Sequence, residues 1–316
     1  MHLDKSITFG SAGFIGKHLS RLLGSDQQNY DINDLTESIK FCDIRKKITI
    51  DAKYAEVIYN LAAIHTTPGH DYKEYYETNI LGAQNICDFA RKNEIKTIVF
   101  LSSIAPYGCW EDMKTEKSLP IPTSAYGNSK LIAEYIHKLW QSEDKDRKLI
   151  ILRPGVVFGK GEGGNFTRLY NAMRKGLFFF PGRKDTIKAS IYVKDLVNIM
   201  VKACEKEQPG THTYNASLSP TPTIDEITRS IADITGVKNP KRVIPSVLLK
   251  IGAGVIYPIG KFLRMPIGGI HPDRVKKLMI STNICGEKIN KNYKFNFNLN
   301  QAIHDWYIDC NKTGLF

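Results

Sequence analysis

No CxxC pair, no HxxxH spacing and no histidine–cysteine grouping occurs anywhere in this chain of 316 residues. Its cysteines, Cys42, Cys87, Cys109, Cys204, Cys285 and Cys310, therefore predict reduced thiols in a cytoplasmic protein and no metal site. An uninterrupted apolar run is missing too. The apolar stretch from Ile244 to Leu263 is broken by Lys250, Lys261, Pro245, Pro258, Gly252, Gly254 and Gly260, whereas a spanning helix needs about 20 mostly apolar residues. It predicts a packed helix and loop, with an interfacial membrane contact as the alternative. Met1 to Lys5 lead straight into a strand-like segment, which predicts no signal peptide. Internal repeats and low-complexity tracts are absent, so solenoid and disordered architectures are excluded.

Acidic charge is the minority sign: 32 Asp and Glu stand against 44 Lys and Arg, a formal net charge of +12. Such an excess fits a nucleic-acid surface, an anionic membrane or an anionic small substrate. The basic residues are spread along the chain without the dense tract of a nucleic-acid arm, which favours a phosphorylated substrate. With 42% hydrophobic residues, the chain can bury a large core and form one or two domains.

Short apolar runs alternate with helical patterns through the first half, the mark of a parallel α/β sheet. Strands are predicted at Ser6 to Phe9, ending near Asp31 to Asp34, at Ile39 to Asp43, Val57 to Leu61, Lys96 to Ser102 and Leu149 to Leu152. Thr97-Ile98-Val99-Phe100-Leu101 is apolar without alternation, as in a strand buried on both faces. Helices are predicted at Phe14 to Leu23, Asp71 to Lys92 and Tyr126 to about Ser142. Beyond Gly155 the pattern loosens. Helical spacing recurs at Phe166 to Lys175, Asp195 to Glu205 and Ile224 to Ile234, the last with Thr223 as its cap.

The first strand runs into Gly10-Ser11-Ala12-Gly13-Phe14-Ile15-Gly16. Gly10 permits the tight turn, Gly13 lets the backbone approach a phosphate, and Gly16 allows close helix–strand packing. Free N–H groups and the helix dipole at Phe14 and Ile15 then favour a pyrophosphate. A carboxylate near the end of the second strand is needed for the ribose hydroxyls; Asp34 is the better spaced candidate and Asp31 the alternative. An acid there favours NAD over NADP, although Arg45, Lys46 and Lys47 keep NADP open. Asp43 and Ile44 can reach the adenine through a carboxylate and a backbone N–H.

Tyr126 and Lys130 stand at i and i+4 on one helix face. A tyrosine with a pKa of about 10 is a poor base near neutrality. A neighbouring ammonium and a nicotinamide's positive charge both favour the phenolate. Ser103, just past the buried strand, can hydrogen-bond a substrate oxygen and steady its developing charge.

These stretches resemble the extended short-chain dehydrogenases/reductases of the NAD-dependent nucleotide-sugar epimerase/dehydratase family, of the UDP-glucose 4-epimerase kind. Asn60-Leu61-Ala62-Ala63 resembles the segment beneath the nicotinamide end, and Thr78-Asn79-Ile80-Leu81-Gly82 the helix whose Asn79 supports it. Ser102-Ser103 with Tyr107-Gly108 resembles the catalytic serine loop, and Leu152-Arg153-Pro154 the strand leading to the sugar pocket. The match is specific over the first 160 residues and looser afterwards. The resemblance implies a Rossmann-type doubly wound parallel sheet, with NAD held by residues 1–160 and part of 185–215. A smaller C-terminal α/β lobe within 161–316 would then bind substrate.

By the same resemblance Ser103, Tyr126 and Lys130 are catalytic, Lys130 also bonding the nicotinamide ribose. Ser102 and Pro154 join the cofactor site. Asn165, at the glycine-rich start of a helix, would bind a substrate diphosphate together with Lys188 and Arg274. Ile104 and Ala105 stand where dehydratase members carry an Asp-Glu pair, so dehydration is not expected. Val156 replaces a familiar asparagine of the sugar pocket. His65 lies near the nicotinamide end, where a structural role is expected; His271 carries no metal pattern. The expected activity is epimerisation of a nucleotide sugar through a transient keto-sugar. Keto-sugar reduction is the alternative, and a non-catalytic dinucleotide or RNA binder the distant one. A homodimer is expected, joined through the helices that carry Asn79 and Tyr126.

Overall fold

The computed structural model describes residues 5–24, 27–52, 54–65, 69–108, 111–247 and 279–316. Cys109, His271, Arg274 and all of the Ile244 to Leu263 stretch beyond Val247 lie outside these residues.

A seven-stranded sheet carries the fold, and every pairing in it is parallel. Its strands are β1 (Ser6–Phe9), β2 (Gln28–Asp31), β3 (Ile39–Phe41), β4 (Val57–Asn60), β5 (Thr97–Leu101), β6 (Lys148–Pro154) and β10 (Gly210–Ala216), ordered β10-β6-β5-β4-β1-β2-β3. Both faces are covered, so β1, β4 and β5 are buried at every position. Between β1 and β4 the chain order reverses, and ligands of open α/β sheets bind beyond strand ends at such a point. The seventh strand, β10, adds to the strands predicted from the sequence.

Five helices flank or border this frame: α1 (Phe14–Leu23), α3 (Gly82–Lys92), α4 (Ala125–Ser142), α6 (Val193–Lys206) and α7 (Ile224–Thr235). The predicted helix from Asp71 is composite: α2 (Tyr72–Tyr75), a π-helical turn (Tyr76–Leu81) and then α3. Widened turns of this kind commonly mark functional positions, and this one carries Asn79. Thr223 caps α7 with a reciprocal Glu226 bond, as its spacing predicts. Outside the large sheet lie α5 (Asn165–Arg174), two two-stranded sheets pairing β7 (Val156–Phe158) with β9 (Ser190–Tyr192) and β8 (Phe180–Pro181) with β11 (Val243–Ile244), and α8 (Glu287–Asn292). The closing helix α9 (Leu299–Asp309) packs on α7. One apolar cluster joins α1, α6, α7 and α9 on one side of the sheet; a second joins α3 and α4 on the other.

Candidate active site

β1 delivers the chain into Gly10, whose φ of +84° suits glycine. A Cβ there would stand 2.6 Å from the Ala62 amide nitrogen, so the glycine lets the loop lie against the end of β4. At Gly16 a Cβ would collide with the Gly10 carbonyl, and its absence seats α1 on the loop. Gly13 stands at the start of α1, where no side chain caps the helix. The N–H groups of its first turn, including Phe14 and Ile15, thus retain the anion-binding character expected of a helix start.

The two candidate carboxylates of the second strand take different places. Asp31, the last residue of β2, accepts the Ala12 amide at 3.0 Å and so holds the glycine loop. Asp34 lies in the turn beyond, exposed with φ +48°, and pairs with Lys17 at 3.0 Å. Sequence distance from Gly10 favours Asp34, but the strand stops three residues earlier. Asp43 is bound in a fork by Arg45 at 2.8 and 2.9 Å, which holds its carboxyl below the usual range and commits Arg45. Ile44 is buried, and its carbonyl accepts from Asn85 at 2.7 Å.

Beyond β4, Leu61, Ala62 and Ala63 lead to Ile64, whose N–H and C=O both bond to the Asn79 side chain at 3.1 Å. The same amide donates to Ser129 Oγ at 2.8 Å, tying the β4 loop to α4 one residue before Lys130. Pro154 closes β6, and its carbonyl accepts the Ile104 amide at 3.2 Å.

Ser124 caps α4, accepting from the Gly127 amide at 3.1 Å, and so fixes the turn that presents Tyr126. A Cβ at Gly127 would meet the Ala105 carbonyl at 2.6 Å; glycine admits the Ser103–Tyr107 loop against the helix. The Tyr126 phenol, half-buried, shares a hydrogen bond with the Ser103 side chain. Lys130 is buried; its Nζ donates to the Leu101 carbonyl at 2.7 Å and lies 4.7 Å over the Phe100 ring.

Here the electrostatics depart from expectation. Burial pushes Tyr126 up to about 12, with the Ser103 bond opposing, and drives Lys130 down to about 7 against the pull of Glu134. Desolvation outweighs the Ser103 bond at Tyr126 and the Glu134 charge at Lys130. At His65 desolvation, then Lys130 and His70, lower the pKa.

The Ser102 hydroxyl donates to Glu134 Oε1 at 2.6 Å. Glu134 is fully buried and receives Arg153 through Nε at 2.8 Å and Nη2 at 2.5 Å. Arg153 Nη1 reaches Tyr107 Oη at 2.6 Å, and that hydroxyl donates to Asn215 at 2.9 Å. Sequence reading missed Glu134; its only signal is a third place on the Tyr126–Lys130 face.

The second anion site is not open as expected. Glu162 occupies the start of α5, its carboxylate accepting the Phe166 amide at 3.3 Å and the Thr167 amide at 3.0 Å. Asn165 is exposed and accepts from Arg168 at 3.1 Å. Lys188 is half-buried and donates to the Ile280 carbonyl at 2.8 Å.

Residues 7–217 match the model of the NAD dependent epimerase/dehydratase family. A relative from Escherichia coli O157:H7, N-acetyl-alpha-D-glucosaminyl-diphospho-ditrans,octacis-undecaprenol 4-epimerase, is 26% identical across 91% of this chain and 89% of its own length. UDP-glucose 4-epimerase of Bacillus subtilis (strain 168) is 25% identical across 74% of this chain and 83% of its own. In fold, the chain resembles UDP-Glucuronic acid 4-epimerase from Bacillus cereus in complex with NAD, with a TM-score of 0.71, 21% identity and coverage of 97% and 98%.

Proposed function

This chain belongs to the NAD dependent epimerase/dehydratase family, and we propose that it inverts a hydroxyl-bearing carbon of a nucleotide-diphosphate sugar through a transient keto-sugar. Tyr126 takes the sugar hydroxyl's proton and later returns it. Ser103, bonded to that phenol, steadies the substrate oxygen while its charge changes. Lys130, on the same helix face, supplies positive charge in its protonated form. The observation that carries this reading is the Tyr126 phenol set against Ser103, with Lys130 bonded to the end of β5, two strands from the one that leads into the glycine loop.

The residues fit a dinucleotide: Gly10 lies in a cradle that a Cβ would fill, and the start of α1 has no side-chain cap. Gly10, Gly13, Phe14, Ile15 and Gly16 would hold the pyrophosphate, Asp31 the ribose, and Asp43 and Ile44 the adenine. Leu61 to Ala63, Asn79, Lys130 and Pro154 would border the nicotinamide. NAD, when bound, supplies the acceptor and donor of hydride.

Tyr72, Tyr76, Leu81, Ile132, Tyr135 and Leu139 leave apolar surface exposed on α2, the π-turn and α4. A groove of about 400 Å³ runs between Ile80, Leu81 and Ile136, and joining two such faces would form a four-helix homodimer. Among the described residues no helix is long and apolar enough to cross a membrane, and Cys42, Cys87, Cys204, Cys285 and Cys310 are unpaired thiols, which supports a cytoplasmic location. The relative named for a lipid-linked diphosphate sugar covers more of the chain than the UDP-glucose epimerase does, which supports a polyprenyl diphosphate as a second carrier.

Incubation with NAD and either UDP-N-acetylglucosamine or its undecaprenyl-diphosphate counterpart, followed by chromatography of the released sugar, tests activity and carrier together. Tyr126→Phe should abolish turnover while cofactor still binds; full activity would sink the mechanism. Nicotinamide nucleotide released stoichiometrically on denaturation supports epimerisation, whereas an empty site that fills reversibly would replace it with keto-sugar reduction.

A further inference from the structure

Lys130 meets two consecutive residues of β5. Its Nζ donates to the Leu101 carbonyl at 2.7 Å and stands over the Phe100 ring, 4.7 Å from the ring centre. Lys130 and Phe100 are each 2% exposed, so the ring stands where water would otherwise solvate the ammonium. The ring is itself held in place. It stacks on His137, the two ring centres 4.2 Å apart and the planes 15° from parallel. His137 is fixed in turn from two elements. Its Nδ1 bonds the Ala133 carbonyl at 2.7 Å, and because a carbonyl only accepts, Nδ1 carries the proton. Nε2 is then free to accept from the Asn60 amide, 3.3 Å away at the end of β4. A leucine or isoleucine at position 100 would also fill this core. What a phenylalanine adds is the negative face of its ring.

We propose that Phe100 is a positioning residue for the proton-transfer pair: the face of its ring, braced by His137, holds the Lys130 ammonium against the end of β5 in its charged form. The proposal rests on the reading of Lys130 as catalytic. Attraction between an ammonium and a ring face is strongest where both are withdrawn from water, as they are here. The titratable groups around Lys130 are Tyr126, Glu134 and His137 on α4 and His65 from the β4 loop. The Glu134 carboxylate is bonded by Ser102 and by Arg153 of β6. Burial drives His137 down to about 4, so near pH 7 it is neutral and sets no repelling charge behind Phe100.

Replacing Phe100 with mono-, di- and trifluorinated phenylalanines keeps the ring and its packing while draining the face of negative potential step by step. In the full chain, labelled with 15N at lysine Nζ and saturated with NAD, Lys130 is titrated by NMR and assigned by the signal lost in Lys130→Met. The midpoint should fall with each fluorine, by about half a pH unit or more in the trifluorinated protein, roughly a threefold change in the ionisation constant. With UDP-N-acetylglucosamine, kcat at pH 7 should fall in step by about twofold to threefold with KM nearly constant, and the loss should shrink at lower pH. Phe100→Leu removes the ring altogether and should lower the midpoint at least as far. A midpoint unmoved by fluorination overturns the proposal. So does a midpoint that moves in Phe100→Leu alone, the result of packing, or a kcat that stays constant while the midpoint falls. If the wild-type chain turns over no sugar yet the midpoint still falls with fluorination, the catalytic reading of Lys130 fails and the hold of the ring on the ammonium stands.

Discussion

Glu162 Oε2 accepts the Thr167 amide at 3.0 Å, so a carboxylate of the chain itself holds the helix start where a substrate diphosphate was expected. An incoming diphosphate at α5 has to displace it or bind elsewhere. Glu162→Gln keeps the size and removes the negative charge. It should tighten binding of UDP, measured by calorimetry, by about twofold to fivefold, the range of one helix-terminus charge interaction. Weaker or unchanged UDP binding would mean that the α5 start takes no part in the substrate site.

Gly10 combines φ +84° with a Cβ position 2.6 Å from the Ala62 nitrogen. Gly10→Ala forces the glycine loop away from the end of β4, at a cost of about 1–3 kcal/mol for the strained conformation alone. NAD affinity, followed by quenching of intrinsic fluorescence, should fall about tenfold or more, the free-energy equivalent of the lower part of that range. Retained affinity would disconnect this loop from the cofactor.

The Gly127 contact is a second close approach, made beside the phenol. Gly127→Ala places a methyl 2.6 Å from the Ala105 carbonyl and pushes the Ser103 loop off α4. Turnover should drop about a hundredfold, because misplacing reacting groups by about 1 Å has that scale of effect. NAD binding should be nearly unchanged, since the pyrophosphate loop is untouched. Equal losses of both would point to general unfolding instead.

Lys130 carries a pH signature of its own. Its folded-state pKa is lowered to about 7, so between pH 7 and its unfolded value the unfolded chain binds more protons. Stability at this site therefore rises with pH across that window, and the full penalty is present below it. Lys130→Met removes the penalty. It should raise the midpoint of thermal unfolding at pH 6, with the gap to wild type narrowing toward pH 10, while turnover is lost. A gap that is constant with pH would show that Lys130 is not desolvated as described.

Local patterns already announced the strands β1, β4 and β5, the helices α1 and α4, the glycine loop and the Tyr126–Lys130 spacing. Each depends on neighbours a few residues away: apolar periodicity, a cap, a turn that needs glycine. The match of β1 and α1 to their predicted bounds shows how far such signals reach. Three features of the site lay beyond them. Asp31 rather than Asp34 reaches the glycine loop because β2 ends at Asp31. Glu162 turns back on α5, and Glu134 finds Arg153 across two elements. Sequence spacing reports which face of a helix or strand a residue occupies. Which distant carboxylate satisfies which amide or cation is settled only when the sheet order brings their backbones together, because burial makes an unpaired charge too costly to leave.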